Sequence, residues 1–344
     1  MSEIDFIISV KDQLDYTRRC IESIFRNVSR KIRLILIDDA SADGTPEYFD
    51  GLKRSCPANV AITVIRHDVN QGYLKSINEG LSHSDAPHVI FSNNDVEVFP
   101  GAVEEMIAVA NLDPRIGLVN PNSNEFDIPK EDFARTKELK GRRIESFHAA
   151  GFFMMVKREV IRRIGGFDEI FSPGYFEEMD YSERGRVAGF SCVIALGAYV
   201  FHYGSRTFLP EDKQRLWDIN ERVFVKRWRG DQWFAYVADQ RSFSDPGSRK
   251  NILGQILRLI RDEKAYFYVY LDAGLAGYLD DLHVGIRPKE TPLIFGFFSL
   301  LLKCIRSARR KKPISRIYVS DRFLFRVFRS LRGLFGAEVV LLPR

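Results

Sequence analysis

Cysteine is sparse: Cys20, Cys56, Cys192 and Cys304 are all that 344 residues hold, and they are widely scattered. No spacing among them suits a metal knuckle, and no disulfide framework is implied. Reduced thiols in a cytoplasmic protein are the expectation. A secretory leader is not expected, because Met1–Asp5 has neither a basic n-region nor an apolar h-region. Long apolar runs are missing too. The longest, Pro292 to Leu302, is too short to span a bilayer. No heptad or short repeat is evident. Ser9 to Leu14, the loop after the first apolar run, contains no glycine. That counts against a glycine-rich phosphate cradle there, and so against a nucleotidyltransferase.

What is present is ordinary globular material, 45% hydrophobic and 28% charged, in a chain long enough for more than one unit. The net charge of +5 is unevenly spread. From Lys303 onward basic residues crowd the chain, and only Asp321 and Glu338 oppose them there. This predicts an anionic partner for the C-terminal region, such as a membrane surface, touched peripherally. Nucleic acid is not an expected partner.

Periodicity organises the first two thirds. Phe6–Val10, Ile32–Ile37, Val60–Ile65 and His88–Phe91 read as apolar strands. Asp15–Asn27, Pro46–Leu52, Tyr73–Leu81 and Ala102–Ala110 read as helices between or after them. Strands alternating with helices imply a mostly parallel sheet with helices on both faces. Further strands are expected at Ile116–Val119, Phe147–Val156, Val193–Leu196 and Tyr199–Phe201, with residues 125–146 as a surface excursion.

Carboxylates collect where such strands end, the place at which open α/β sheets bind ligands. Asp38 and Asp39 end the second strand, and Asp95 ends the fourth within Ser92-Asn93-Asn94-Asp95. Each also has a plain turn-forming or capping reading. Lys75, one turn into its helix, has the reach for a phosphate, although a solvated lysine explains it equally well. Glu177, Glu178 and Asp180 open a later helix. Acidic residues favour a helix start, but three so close exceed what capping needs. Crowded carboxylates raise one another's pKa, which suits a general base. His202 follows a strand and is a lone histidine in sequence.

Five blocks occur in order: Asp38-Asp39-Ala40-Ser41-Ala42-Asp43-Gly44-Thr45, Asn70-Gln71-Gly72 with Asn78-Glu79-Gly80, Asn93-Asn94-Asp95, Ala150-Gly151 through Gly166-Phe167-Asp168, and Phe176-Glu177-Glu178-Met179-Asp180. Together they resemble inverting glycosyltransferases of family 2, of GT-A fold, in the branch of rhamnosyl- and galactofuranosyltransferases. The resemblance spans about Ile4 to Thr207. It implies a Rossmann-like, mostly parallel sheet with flanking helices, a nucleotide-sugar donor and a glycan acceptor, lipid-linked acceptors included. It implies nucleotide contacts by Ser9, Val10, Asp12, Asp38, Asp39, Gly72, Lys75, Asn93 and Asn94. It implies Mn²⁺ or Mg²⁺ held by Asp95 and His202, and acceptor contacts at Gly151 and Phe152. Glu178 takes the position of the general base, with Glu177 and Asp180 beside it as further catalytic candidates. The usual Asp-x-Asp metal motif is here Asn93-Asn94-Asp95, with one charge, and the base is Glu where Asp is usual.

The expected function is transfer of a sugar to a hydroxyl of a growing surface glycan. The alternatives are a nucleotidyltransferase, or a non-catalytic assembly module with a decayed site. The expected domains are a catalytic unit at 1–240 and a smaller basic α/β appendage at 241–344. Ser242–Ser248 reads as the linker. Beyond it come a helix at Ile252–Ile260, a strand at Ala265–Leu271, helices at Phe295–Arg309 and Phe323–Leu334, and strands at Ile317–Val319 and Glu338–Leu342. Trp228 and Trp233 are expected to pack in a core rather than stack on a sugar.

Overall fold

The computed structural model describes residues 2–126, 128–146, 148–204, 210–228, 233–263, 265–271, 286–290, 299–300, 302 and 314–343. The chain forms two compact units, Met1–Val223 and Phe224–Arg344.

In the first unit β1 (Ile4–Val10) is parallel to β2 (Ile32–Asp38) and β4 (His88–Ser92), and β2 is parallel to β3 (Val60–Arg66). The helices α1 (Leu14–Asn27), α2 (Thr45–Ser55) and α3 (Tyr73–Ser82) join them. β5 (Val96–Val98), α4 (Ala102–Ala110) and β6 (Ile116–Asn122) follow. The short helix α5 (Phe133–Thr136) leads to β7 (Arg143–Ser146), β8 (Phe153–Lys157), α6 (Arg158–Ile164), α7 (Glu177–Val187) and β9 (Ser191–His202). The nine-stranded sheet runs β3-β2-β1-β4-β8-β6-β9-β5, with β7 also on β9. β8 is antiparallel to both neighbours, and β6 is parallel to β9. The mixed centre lets β4 and β9 deliver their ends to one place.

Alternation explains the two-sided core. Ile4, Phe6, Ile8 and Val10 join Cys20, Ile21 and Ile24 of α1 and Val103 and Met106 of α4 in one cluster. Ile7 points the other way, toward α3. A methyl on Gly80 there would stand 2.6 Å from Ile7 Cγ2, so only glycine lets α3 sit this close.

Two readings of this unit change in the structure. Val193–Leu196 and Tyr199–Phe201 are parts of the single strand β9, whose register against β6 shifts between Pro121 and Asn122, so the interruption is a bulge and not a strand end. The excursion at 125–146 carries 3₁₀ turns, α5 and the edge strand β7.

The second unit has its own parallel sheet, ordered β12-β11-β10-β13-β14. Its strands are β10 (Trp233–Val237), β11 (Tyr266–Leu271), β12 (Ile286–Glu290), β13 (Ile314–Val319) and β14 (Glu338–Leu341). The boundary expected at 240/241 therefore falls too late, because β10 is the middle strand of this sheet. The presumed linker is structured as well. α9 (Gln240–Ser244) buries Phe243, and Asp245 caps α10 (Pro246–Asp262) by accepting from the Ser248 amide. Turn-forming residues here serve a cap. Trp233 packs flat on Tyr268, at 4.7 Å between ring centroids. The strands at 317–319 and 338–342 and the helix from Arg322 match expectation, whereas the helix expected at 295–309 lies almost wholly outside the described residues.

Candidate active site

The ends of β1, β2 and β4 meet the start of α7 and the end of β9. At the end of β4 the chain turns through Asn93 and Asn94. The Asn93 amide donates to the Phe152 carbonyl at 2.8 Å, and Asn94 Nδ2 donates to Thr17 Oγ1 at 2.9 Å. Asp95 follows. Its carbonyl accepts from the Tyr203 amide, and its Oδ1 lies 3.2 Å from His202 Nε2. Sequence separates Asp95 and His202 widely, but β5 pairs with β9 so that Val96 stands opposite His202.

His202 is held from every side. Its Nδ1 lies 2.9 Å from Glu125 Oε1, its ring stacks on Phe152 at 5.1 Å, and Asn124 bonds both its amide and its carbonyl. Burial pushes the imidazole pKa down, but the bonds to Asp95 and Glu125 outweigh it and carry it up to about 9. A carboxylate on Nδ1 leaves Nε2 aimed at Asp95, the second-shell arrangement typical of metal-ligating histidines. Among the described residues no group of three or more His, Cys, Asp or Glu side chains is placed to hold an ion. Asp95 and His202 by themselves offer a carboxylate oxygen and an imidazole nitrogen, donor types that suit Mn²⁺ or Mg²⁺ but are fewer than such an ion takes.

The acidic pair opens α7. Glu178 lies against Gly151, where a methyl would stand 3.7 Å from Glu178 Cβ. Glu177 Oε2 is buried without a hydrogen-bond partner. Burial, then the charge of Glu178, lifts Glu177 well above the carboxylate range. Burial also lifts Glu178, to about 6, and its bond with Glu177 restrains the rise. One proton shared by the pair, mostly on Glu177, accounts for both directions. Burial, followed by the charges of Glu177, Glu178 and Asp95, pushes the Tyr73 phenol up. The α7 pair and the β4 end therefore act on one group at the start of α3.

Other expected site residues are engaged elsewhere. Asp180 is fully buried and bonded to Arg184 at 2.8 Å, and Arg184 continues to the Ile164 and Gly166 carbonyls. It fixes α7 and is not free for proton transfer. Asp38 is buried too, accepting from the Ser41 amide and pairing with Arg66. Asp39 accepts from the Gln71 amide at 2.7 Å, the Gly72 amide at 2.9 Å and His67 Nδ1 at 2.8 Å. It builds the turn that starts α3 before it can offer anything to a base. Gly72 adopts φ 88°, a conformation glycine takes freely. Asp12 ties the first loop to the second by accepting from the Ala42 amide. Ser9 and Val10 end β1 beside Ile37 and Asp38. Lys75 is exposed. Phe152 is 5% exposed and backs His202, so its ring is not open to an acceptor, whereas Gly151 borders the glutamate pair.

Sequence reasoning missed Glu125, Asn124, His67 and Tyr73. The signal for the first two was the run Asn120–Asn124 at a strand end. A cavity of about 660 Å³ lies at the beginnings of β6 and β9, lined by Ile116, Arg143, Ser191 and neighbours, at the opposite end of β9 from His202.

Residues 5–165 match the family model for glycosyl transferase family 2. The chain is 25% identical over 276 residues to the uncharacterized protein y4gI of Sinorhizobium fredii, covering 72% of this chain and 29% of that protein. It is 23% identical over 227 residues to the N-acetylglucosaminyl-diphospho-decaprenol L-rhamnosyltransferase of Mycobacterium tuberculosis, covering 55% of this chain and 72% of that one. The structure is similar in fold to the mannosyltransferase PcManGT of Pyrobaculum calidifontis, solved with GDP-Man and Mn²⁺, with a TM-score of 0.53 at 13% identity over 97% of this chain and 84% of that one. With the parallel sheet, the flanking helices and the strand-end site, the N-terminal unit has a GT-A-like fold, and its residues 5–165, just under half of the chain, are similar to the family 2 glycosyl transferases.

Proposed function

We propose that this chain transfers a sugar, with inversion, from a nucleotide-diphosphate donor to a hydroxyl of a growing surface glycan. One observation carries the reading: Asp95, paired with His202 at 3.2 Å, and the Glu177–Glu178 pair all act by their charges on the buried Tyr73 phenol. A leaving diphosphate needs charge stabilisation, and an attacking hydroxyl needs a base; the two pairs offer one of each.

Asp95 and His202 would hold Mn²⁺ or Mg²⁺, which when bound offsets the charge that develops on the leaving diphosphate. The imidazole donor and the Mn²⁺ in the similar mannosyltransferase both favour manganese. The ends of β1 and β2, Ser9 and Val10 with Asp39 and the Gln71–Gly72 turn, form the floor for the nucleotide. Glu178, beside Gly151, takes the proton of the acceptor hydroxyl as that oxygen attacks the anomeric carbon. Glu177 keeps its own proton and steadies the neighbouring carboxylate. A single in-line displacement inverts the centre, so no protein nucleophile is required.

The relative's name favours a deoxyhexosyl donor and a lipid-linked acceptor. A peripheral stay at the cytoplasmic face of a membrane suits such an acceptor. No helix among the described residues is long and apolar enough to cross a membrane. The helix Arg322–Ser330 buries Leu324 and Phe328 and leaves Phe323 72% exposed among arginines, a surface suited to anionic lipid.

Hydrolysis of a panel of UDP-, GDP- and dTDP-sugars with and without Mn²⁺ tests the reading. One donor turned over faster with the metal, and not by Glu178→Gln in the presence of acceptor, is expected. Binding of no nucleotide sugar by calorimetry would overturn it.

A further inference from the structure

Between Phe171 and α7 the chain takes a costly path. Tyr175 and Phe176 are consecutive non-glycine residues in the left-handed region, at φ 73° and 72°. Such a conformation persists only where its surroundings determine it. Phe176 is also the residue that caps α7, and its carbonyl accepts the Asp180 amide at 2.9 Å. The next two residues are the glutamate pair. The backbone of this loop therefore decides where both carboxyls stand.

What determines the loop comes from α8 (Pro210–Trp228). Asn220 is 2% exposed, and its Nδ2 donates to the carbonyls of Phe171 at 2.7 Å, Gly174 at 2.8 Å and Tyr175 at 3.3 Å. Three carbonyls around one terminal group require the NH₂ end there, since an oxygen would face only acceptors. Trp217, one turn earlier on the same helix face, meets Phe176 edge-on at 4.7 Å and Tyr175 at 5.9 Å. The rest of α7 is held separately, by Asp180 and Arg184. The described side-chain hydrogen bonds of Asn220 thus fall on the loop that leads into α7.

We propose that Asn220 is a positioning residue for transfer: from α8 it clamps the Phe171–Phe176 loop and so holds the Glu177–Glu178 pair in its working place. The proposal rests on Glu178 being the base. At 2% exposure, Asn220 is a polar residue at an inward position of α8.

Asn220→Asp keeps the shape and removes the donors; Asn220→Ser keeps one donor in a smaller side chain and covers the case in which Asp does not fold. Hydrogen exchange of the full chain is followed by mass spectrometry over 171–180 and, as a control, over β1 and α1. The expected result is exchange at least ~10-fold faster at 171–180 with the control unchanged. With the donor selected by the hydrolysis panel and its acceptor, kcat falls roughly 10–100-fold while the donor KM stays within about threefold. The acidic limb of the pH profile moves down toward the usual carboxylate range, and Asn220→Ser falls between Asp and the native chain.

Unchanged exchange at 171–180 overturns the proposal, as does faster exchange with unaltered kcat and pH profile. A loss confined to KM also overturns it, by placing Asn220 in donor binding. If Glu178→Gln turns over normally, the base assignment fails instead, and the exchange response of Asn220→Asp then shows a clamp without that catalytic purpose.

Discussion

Asp95 Oδ1 lies 3.2 Å from His202 Nε2, although Asp95 sits in the turn after β4 and His202 ends β9, far away in sequence. Their approach depends on β5 pairing with β9. Asp95→Asn keeps the shape and removes the one charge of the Asn93-Asn94-Asp95 turn. Loss of a charge-stabilising ligand of this kind is expected to lower turnover at least ~10²-fold. Mn²⁺ titration with donor present is expected to show weakened metal binding, while circular dichroism stays native.

Glu125 is the milder test of the same centre, because its carboxylate bonds the far nitrogen of His202 and not the one that faces Asp95. Glu125→Gln leaves the fold and the direct donors in place but no longer fixes the imidazole as firmly. A fall of roughly 10–100-fold in metal affinity or activity is expected. Equal metal affinity in the variant and the native chain would show that Nδ1 needs no carboxylate.

The glutamate pair predicts a pH profile. Both carboxyls sit above their ordinary range, so the base form of Glu178 is lost as pH falls through about 6. kcat is expected to rise with pH across that value and then level off. Glu178→Gln is expected to cost roughly 10²–10⁴-fold at the plateau, the usual share of a general base. Glu177→Gln is expected to cost less and to move the limb, because it removes the partner and not the acceptor of the proton.

The strands of the parallel part and the carboxylates at their ends were legible because parallel strands buried on both faces announce themselves as β-branched runs. The partners of those carboxylates were not. Asp38 and Asp39 look alike in sequence, but Arg66, the last residue of the next strand, takes the first, and the Gln71–Gly72 turn beyond that strand takes the second. Asp180 looked like a third catalytic carboxylate because nothing local reveals that Arg184, one turn on, turns inward to the Ile164 and Gly166 carbonyls. Glu125 was hidden in a stretch whose charges read as plain surface. The C-terminal boundary was misplaced because polar turn residues occur in caps as well as in linkers.

The Asp39–His67–Glu79 chain gives stability a pH window. Burial pushes Asp39 up, yet the Gln71 amide, His67 and the Gly72 amide hold it below 3.8. Its contribution is complete above that value and fades as pH falls through the lower folded pKa. His67 is pushed down by burial but raised above 6.5 by Asp39 and Glu79. Its contribution is complete below 6.5 and fades as pH rises through the higher folded pKa. Both act together between these limits. His67→Gln is expected to flatten the alkaline side of a Tm-against-pH curve and, because His67 also helps to hold Asp39 low, to weaken the acidic side in part; an unchanged alkaline slope would show that His67 does not couple to the fold.

The largest stability effect is expected far from the chemistry, at Asp5. This β1 carboxylate is fully buried and pairs with Arg33 through two bonds, at 3.0 and 2.7 Å. It also accepts from Ser2, Ser84 and the amides of Asp85 and Ala86. Burial alone would raise its pKa, but Arg33 and the amide and hydroxyl donors bring it below 3.8. Asp5→Ala leaves all these donors facing a cavity, and removing one partner of a buried pair costs about 3–5 kcal/mol. For a unit of this size that corresponds to a fall in Tm of roughly 10 °C. Asp5→Asn keeps the volume and an acceptor oxygen and is expected to recover part of the loss. Since the six-donor arrangement joins β1 to the turn before β4, the loss should appear in β1 and β4 hydrogen exchange first, and donor turnover at low temperature should survive it.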